Sequence, residues 1–449
     1  MRNMYSAAER LTRDELEALQ LRKLRNLLNY NYENNPFYRD LWKSYSVHPD
    51  DIQSLADYRH KVPMVSKRDF LADQDCQPPF GRRLGVDRRA VRQVHLTSGT
   101  SGIGQEAWGL TQADVESAAT AWLQQYHWMG LTSGDVAFYS MPVSFFANGL
   151  SAEHAGRKMG MSCLNLFGMD KQLAFNLMER FQPQYLYGMM SMAAMASLAG
   201  PENLHGRLPR EVFPTLKAIQ GSAMSASTMQ RVSEEWGAPI YEIYGCTQGG
   251  SAVAATCERT ALVDGREGMV HFLESQFLVE CLDRETGEPA ASGADSEVVL
   301  TTLDREASPA IRFRMDDKVT FLAHSECRCG RPYAGYRAGS VGRWDDMMKV
   351  KGINVWPGVF DDIVMSVPDV AEYRGVVVNT EGRERCVIKV EFEATASLTS
   401  ATVTERLDDI RRRVKAKTFI TPDVEVSPDQ LEKFILKPRR WTDLRNSRG

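Results

Sequence analysis

The sequence predicts an α/β protein with a large N-terminal domain, built of α/β sheets plus a β subdomain, and a small α+β C-terminal domain. Three observations carry this. First, strand-like VAFYSM (136–141), TLKAIQG (215–221) and APIYEIYG (238–245) alternate with helical LAFNLMERF (173–181) and SASTMQRVSEEW (225–236), the pattern of a largely parallel sheet. Second, from about 268 to 319 the helical runs stop, and MVHFLESQFLVECLD, SEVVLTTL and AIRFRMDDKVTFL follow with short turns between them, as in antiparallel β structure. Third, a compact α+β order begins at Gly342. The domains are therefore placed at 1–341 and 342–449.

Taken in order, residues from about Asp14 to Tyr38 carry leucines at helical spacing and then turn residues. Pro49 to Lys67 mixes turn signals with short helical pieces, and Arg82 to Arg92 reads as a solvated basic face. VRQVHL is a strand running into the glycine-rich stretch that ends at Gly104. The C-terminal domain reads as strand MMKVKGINV, helix DDIVMSV, strands YRGVVVNT and RCVIKVEFEA, and a helix near 400–417.

Composition narrows the function classes. A chain of 449 residues is long enough for about two to four domains. With 54 basic and 58 acidic residues, net −4, and 43% apolar residues, it is neither a disordered chain nor a dedicated nucleic-acid binder, which would carry a strongly basic face. The N-terminus has no apolar core and reads as no signal peptide. The least polar run, Gly188–Gly200, is too short to span a bilayer. Eight cysteines are too few for a disulfide scaffold in such a chain. A reduced, cytoplasmic protein with no membrane or nucleic-acid partner is expected.

The segment Leu96-Thr97-Ser98-Gly99-Thr100-Ser101-Gly102-Ile103-Gly104 alternates hydroxyls and glycines. Glycine lets a ligand approach the backbone, and successive N–H groups and hydroxyls can cradle phosphate oxygens. It lacks the GxxxxGK[ST] spacing of NTPase P-loops. Alone, it is as readily a flexible turn as a phosphate site.

The loop has company. HLTSGTSG (95–102), NNPFYRDLW (35–43), SLADYRHKVPMVSKRDF (54–70), YEIYGCTQGG (241–250), TTLDREASPAIRFRMDD (301–317), VGRWDDMMKVKGINVWP (341–357) and KPRRWTD (437–443) together resemble adenylate-forming enzymes of the acyl-CoA synthetase superfamily, closest to the phenylacetate–CoA ligase branch. The resemblance implies ATP-dependent activation of a carboxylic acid through an acyl-adenylate, then transfer to the thiol of CoA. It implies that Thr97, Ser98, Gly99, Thr100, Ser101 and Gly102 enclose the β- and γ-phosphates, with Gly104 and Gln105 where the family often has Pro and Lys. It implies that Gly221, Ser222 and Ala223 lie along adenine, that Tyr244 stacks on it, and that Gly245 admits the nucleotide. Thr247 would reach the α-phosphate. Gln248 stands where the family usually has the glutamate that helps hold Mg²⁺, so the cation is expected to be held mainly by phosphates and water.

By the same resemblance Asp317 takes both ribose hydroxyls, for which a two-oxygen acceptor suits. Asp316 beside it leaves a register off by one open. Arg343 would be a second ribose and phosphate contact. Asp345 falls at the hinge about which a mobile C-terminal lid rotates between the half-reactions, and Lys351-Gly352 would then line the thiol tunnel. Lys437 matches the lysine that bridges carboxylate and α-phosphate oxygens, although Leu436 stands where the family usually has Gly, and Arg439 and Arg440 are nearby cations. For the acid, Phe146, Ala147, Tyr187 and Gly188 imply a mostly apolar cavity fit for an aromatic or hydrophobic acid. Asn148 and His154 are polar residues near it without an assigned place.

Cys327-Arg-Cys329 offers two thiolates one residue apart, and tetrahedral zinc needs four N/S ligands. Cys257 and His271, where some members of the branch carry a Cys and a Gly-x-His, complete a structural zinc site, with His324 as the rival fourth ligand. Cys76, Cys163, Cys281 and Cys386 read as packing residues. Relatives of this branch imply a homodimer. Two other functions stay open: adenylation with delivery to a carrier protein or an amine, and a catalytically inactive nucleotide-binding homologue, for which Gln105, Gln248 and Leu436 speak.

Overall fold

In the computed structural model the described residues are 5–97, 104–141, 147–188, 204, 206–222, 226–261, 268–344, 346–350, 353–380, 383–393, 396, 398–432 and 440–445. The chain opens with two helices, Arg13–Asn34 and Pro36–Ser44. The single helical run read from 14 to 38 breaks at Asn35. Its side chain accepts from Tyr38 N–H and caps the second helix, and Pro36 occupies the first turn, where its missing donor costs nothing. A two-stranded antiparallel ribbon, β1 (Gln93–Leu96) and β2 (Ala107–Leu110), follows.

Among the described residues twelve strands form the main sheet. Its parallel half contains β3 (Val136–Tyr139), β4 (Ser162–Asn165), β5 (Tyr185–Tyr187), β6 (Ala218–Gly221) and β7 (Ile240–Cys246) in the order β4-β3-β5-β6-β7. These short apolar strands are covered by helices including Gln112–Trp128, Ala147–Met159, Lys171–Phe181 and Ala226–Trp236, as a parallel sheet requires. The antiparallel half adds β8 (Ser251–Thr256), β9 (Met269–Phe272), β10 (Phe277–Leu282), β11 (Asp295–Thr302), β12 (Phe313–Leu322) and β13 (Gly335–Arg337), with β14 (Gly342–Arg343) on β12. The strands read as a separate β subdomain thus continue the parallel sheet. The junction is β7, parallel to β6 and antiparallel to β8.

The MMKVKGINV run folds as a hairpin instead of one strand, β15 (Met348–Val350) and β16 (Ile353–Val355). Helix Pro357–Val364 leads to a four-stranded sheet in the order β19-β18-β17-β20, made of β17 (Val370–Thr380), β18 (Arg383–Phe392), β19 (Asp423–Val426) and β20 (Trp441–Asp443), backed by helix Ser400–Thr418. Its core is its own, around Phe360, Val377, Ile388, Ile410 and Val414.

Two surface expectations change. Within the basic stretch Arg82, Arg88, Arg89 and Arg92 are exposed, but Arg83 is buried, its guanidinium 4.6 Å from the Phe70 ring and 4.7 Å from the Trp108 ring. Of the cysteines read as packing residues, Cys281 and Cys386 are buried and Cys163 half-buried, whereas Cys76 is exposed at the end of helix Lys67–Cys76.

Candidate active site and candidate metal centre

The predicted site residues gather where the parallel strands end, outside whose carboxyl ends open α/β sheets bind ligands. Tyr187 closes β5, buried and edge-on to Trp122 at 4.9 Å. Gly188 follows with φ +67°, and a Cβ there would meet Met141 Cγ at 2.1 Å, so the turn admits only glycine. Ala147 is buried at the start of its helix. Gly221 ends β6 in register with Glu242, and Ser222 is exposed.

Along β7 the twofold alternation of a strand puts Glu242 and Tyr244 on one face. Tyr244 is buried and donates its hydroxyl to Asp317 Oδ2 at 2.5 Å. Burial, then the Asp317 charge, holds its phenol well above the ordinary range. Asp317 and Arg343 are cross-strand partners on β12 and β14, and Arg343 Nη1 lies 3.2 Å from Asp317 Oδ1. Asp316 is half exposed at φ +55°, with Arg284 at 3.9 Å. The register that brings an acid to Tyr244 is therefore that of Asp317. A Cβ on Gly245 would meet Asn148 Nδ2 at 2.3 Å, which places Asn148 against the nucleotide motif. Its Oδ1 is buried with no hydrogen-bond partner among the described residues. His154 instead faces Glu116, 3.1 Å away. Thr247 and Gln248 occupy the tight turn between β7 and β8, closed by Gly250 N–H on Thr247 O at 3.0 Å.

The foot of the glycine-rich loop is fixed to this turn. Thr97 N–H donates to Glu106 O at 3.1 Å, and Glu106 N–H donates to Thr97 Oγ1 at 2.9 Å. Gln105 Nε2 donates to Thr97 O at 3.1 Å. Gln248 Nε2 then donates to Glu106 Oε2 at 3.0 Å. Burial pushes the Glu106 carboxyl up to about 7 against the pull of Arg83 and Lys67.

Elsewhere on the sheet, Cys257, His271, Cys327 and Cys329 are all buried, and their ligand atoms lie within 4.8 Å of one another. Zn–S near 2.3 Å and Zn–N near 2.0–2.1 Å in a regular tetrahedron put sulfurs about 3.8 Å apart and sulfur and nitrogen about 3.6 Å apart. Here Cys257 Sγ and Cys327 Sγ are 3.8 Å apart, and Cys329 Sγ and His271 Nε2 are 3.6 Å apart. His271 Nδ1 is 3.0 Å from Tyr333 O, which orients the ring as the outer partner of a ligating histidine does. The N–H groups of Arg259, Cys329 and Arg331 donate to sulfurs of the cluster, each at 3.4 Å. The donor set fits tetrahedral zinc, and His271, not His324, belongs to it.

The AMP-binding enzyme family model matches residues 60–302, and that of the AMP-binding enzyme C-terminal domain matches residues 352–445. The chain belongs to the AMP-binding enzyme family. Within it, the chain is 30% identical over 421 residues to phenylacetate-coenzyme A ligase of Thermus thermophilus, covering 91% of each chain. It is 28% identical over 445 residues to the Aromatoleum evansii enzyme of the same name, covering 97% of this chain and 96% of that one. Among solved structures, 2-hydroxyisobutyryl-CoA ligase in its postadenylation state superimposes with a TM-score of 0.87 at 22% identity, over 97% of this chain and 91% of that one, so it shares the fold. No helix among the described residues is long and apolar enough to cross a membrane.

In this AMP-binding enzyme the structure brings together Thr97, Tyr244, Gly245, Thr247, Gln248, Asp317 and Arg343 around the end of β7. Ser98, Gly99, Thr100, Ser101, Gly102, Phe146, Ala223, Asp345, Gly352 and Lys437 lie outside the described residues. The sequence reading missed Glu106, Glu242 and the placement of Asn148. Each is a single polar residue whose partners are far away in sequence. The one usable signal was an acid at 106 just after a phosphate-loop pattern.

Proposed function

We propose that the protein is an AMP-forming acid–thiol ligase that activates an aromatic or hydrophobic carboxylic acid and passes it to CoA. In the first half-reaction a carboxylate oxygen bonds to the α-phosphorus of ATP and the bond to the β-phosphate breaks, releasing pyrophosphate. In the second, the thiol sulfur bonds to the acyl carbon, AMP leaves with the acyl oxygen, and the thiol proton passes to solvent. The observation that carries this reading is the Tyr244–Asp317–Arg343 contact set beside the Thr97–Glu106–Gln248 set. One suits a nucleoside and the other a triphosphate, and both border the same turn.

The roles follow. Tyr244 and Gly245 form the adenine wall with Gly221, Ser222 and Ala223. Asp317 accepts from the ribose diol and Arg343 steadies it. Thr97, Ser98, Gly99, Thr100, Ser101 and Gly102 enclose the distal phosphates, and Thr247 meets the α-phosphate. Backbone and hydroxyl donors fixed before the reaction stabilise the charge that develops there. Lys437 adds a mobile point charge in the adenylation step. The acid enters between Phe146, Ala147, Tyr187 and Gly188. Mg²⁺, when bound, would supply charge neutralisation on the phosphates, held mainly by them and by water, and Gln248 would be the side chain of the turn that faces it. The chain divides into a body (1–341) and a lid (342–449) turning about Asp345, with Gly352 at the thiol tunnel. Zinc held by Cys257, His271, Cys327 and Cys329 would be structural: these four residues join β9 to the loop carrying Cys327 and Cys329, and none of them is a proposed nucleotide residue.

The test incubates the protein with ATP, Mg²⁺ and a panel of aryl and aliphatic acids, with and without CoA, and measures pyrophosphate and acyl-CoA. Both are expected with one or more acids. Pyrophosphate without acyl-CoA moves the acceptor to a carrier protein or an amine, and no pyrophosphate with any acid refutes the ligase reading.

A further inference from the structure

Position 248 holds only a neutral amide, yet a divalent cation carried with ATP prefers hard anionic oxygens. A carboxyl group that ionises around pH 7 sits one hydrogen bond away. Glu106 is fully buried just before β2, its main chain tied to Thr97 in both directions. Its Oε2 accepts from Gln248 Nε2, while its Oε1 is buried with no hydrogen-bond partner among the described residues. A buried carboxylate oxygen left without a partner is costly and calls for a reason. Arg83, the buried cation nearby, does not satisfy it. Its Nη2 donates to Ala107 O, its Nε and Nη1 have no hydrogen bond among the described residues, and its guanidinium lies over the Phe70 and Trp108 rings.

We propose that Glu106 is a positioning residue for the divalent cation that accompanies ATP: by accepting from Gln248 Nε2 it fixes and polarises the Gln248 amide, so that Gln248 Oε1 takes the place of a carboxylate oxygen. An N–H···O⁻ bond shifts electron density along the amide toward its oxygen and holds the group in one orientation. The charge that the turn lacks at 248 is thereby returned from the neighbouring strand. The inference rests on the nucleotide reading above and adds to it the source of the cation's anionic partner.

The test reads cation binding instead of turnover. Mn²⁺ is titrated into the full-length protein holding a non-hydrolysable ATP analogue and followed by the EPR signal of free Mn²⁺. Binding of the analogue in EDTA is measured alongside. Glu106→Gln is expected to weaken Mn²⁺ about tenfold, the scale of one charge-assisted hydrogen bond, without weakening cation-free nucleotide binding, which loses a repelling charge. Glu106→Gln/Gln248→Glu puts the carboxylate at 248 and is expected to restore the wild-type Mn²⁺ affinity, a rescue that a merely structural Glu106 would not give. If Glu106→Gln does not fold, Gln248→Met removes the amide and keeps the acid, and the same weakening is expected. Wild-type Mn²⁺ affinity in whichever single variant folds, or no recovery in the double variant, overturns the inference. A wild-type protein that binds no nucleotide overturns the nucleotide reading itself, and this inference with it.

Discussion

Glu242 offers a measurement whose direction burial sets. Its carboxylate is fully buried on β7 and accepts from Gly339 N–H at 2.8 Å and Tyr336 hydroxyl at 3.3 Å. Burial pushes it from an ordinary value of 4.5 up to about 7, with those two hydrogen bonds pulling the other way. A carboxyl whose folded value is raised holds its proton longer in the folded state. Its contribution is therefore full below about pH 4.5, lost as pH rises through the window to 7, and constant above it. The gap of 2.5 units, at about 1.4 kcal/mol each, is a loss of about 3 kcal/mol, most of it between pH 5 and 8. Glu242→Gln keeps the shape and an acceptor for Gly339, and its amide can donate to Tyr336, but it does not titrate.

The assay is thermal unfolding of both proteins from pH 5 to 8, which cancels every other titrating group in the difference. Unfolding entropy of about 2.1 cal/mol/K per residue makes 1 kcal/mol worth roughly 1–2 °C in a unit of several hundred residues. The Tm of Glu242→Gln minus that of wild type is therefore expected to rise by about 3–4 °C across this range. A flat difference would refute the assignment of a proton to a buried Glu242. The result bears on function, because Tyr336, the partner of Glu242, meets Tyr244 edge-on at 6.2 Å, and Tyr244 is the proposed adenine wall.

Three further outcomes are expected. Asp317→Asn removes the charged acceptor shared by Tyr244 and Arg343 and should raise KM for ATP roughly 10–100-fold with a smaller change in kcat; an unchanged KM would move the ribose contact elsewhere. Lys437→Ala should abolish pyrophosphate release yet still form thioester from supplied acyl-adenylate, and survival of both half-reactions would show that another cation does the work. Metal analysis should find about one zinc per chain, and Cys327→Ser should lose it and lower Tm by several degrees; a stoichiometry near zero sinks the zinc proposal.

Which features could be read from the sequence depended on how local they are. The alternation of strand and helix from 136 to 246 was legible because each run carries its own period. The helix break at Asn35 needed recognition of a cap and a proline. That the strands from 251 to 337 extend the parallel sheet could not be read, since strand pairing joins residues such as Ala254 and Phe272 whose sequences say nothing of each other. Arg83 looked like part of a solvated charge run because its place against two aromatic rings is a tertiary fact. In the site, Tyr244 to Gln248 were legible as one contiguous motif, and Asp317 was located to within one residue. Glu106 and Asn148 were not, because what marks them is a contact to a turn 142 residues away in one case and to Gly245 in the other.

The same non-local geometry explains how a chain of net charge −4 can receive a polyanion. The end of β7 is where the sheet changes from parallel to antiparallel. Helix-connected strands therefore bring the turn of Thr247 and Gln248 from one side, and antiparallel strands bring Asp317 and Arg343 from the other. Two buried acids, Glu106 and Asp317, flank that turn and repel phosphate in a poorly solvated setting. Each is tied through a hydrogen bond to a group that meets the ligand in the proposed function: Glu106 to Gln248, and Asp317 to Tyr244. In the proposed function, the neutralising charge is not a standing basic surface. It arrives with the divalent cation and with Lys437, and the acids hold in place the groups that receive it. Nucleotide binding should accordingly follow the cation more than the ionic strength, because screening acts on exposed charges and leaves a buried, cation-mediated contact largely untouched.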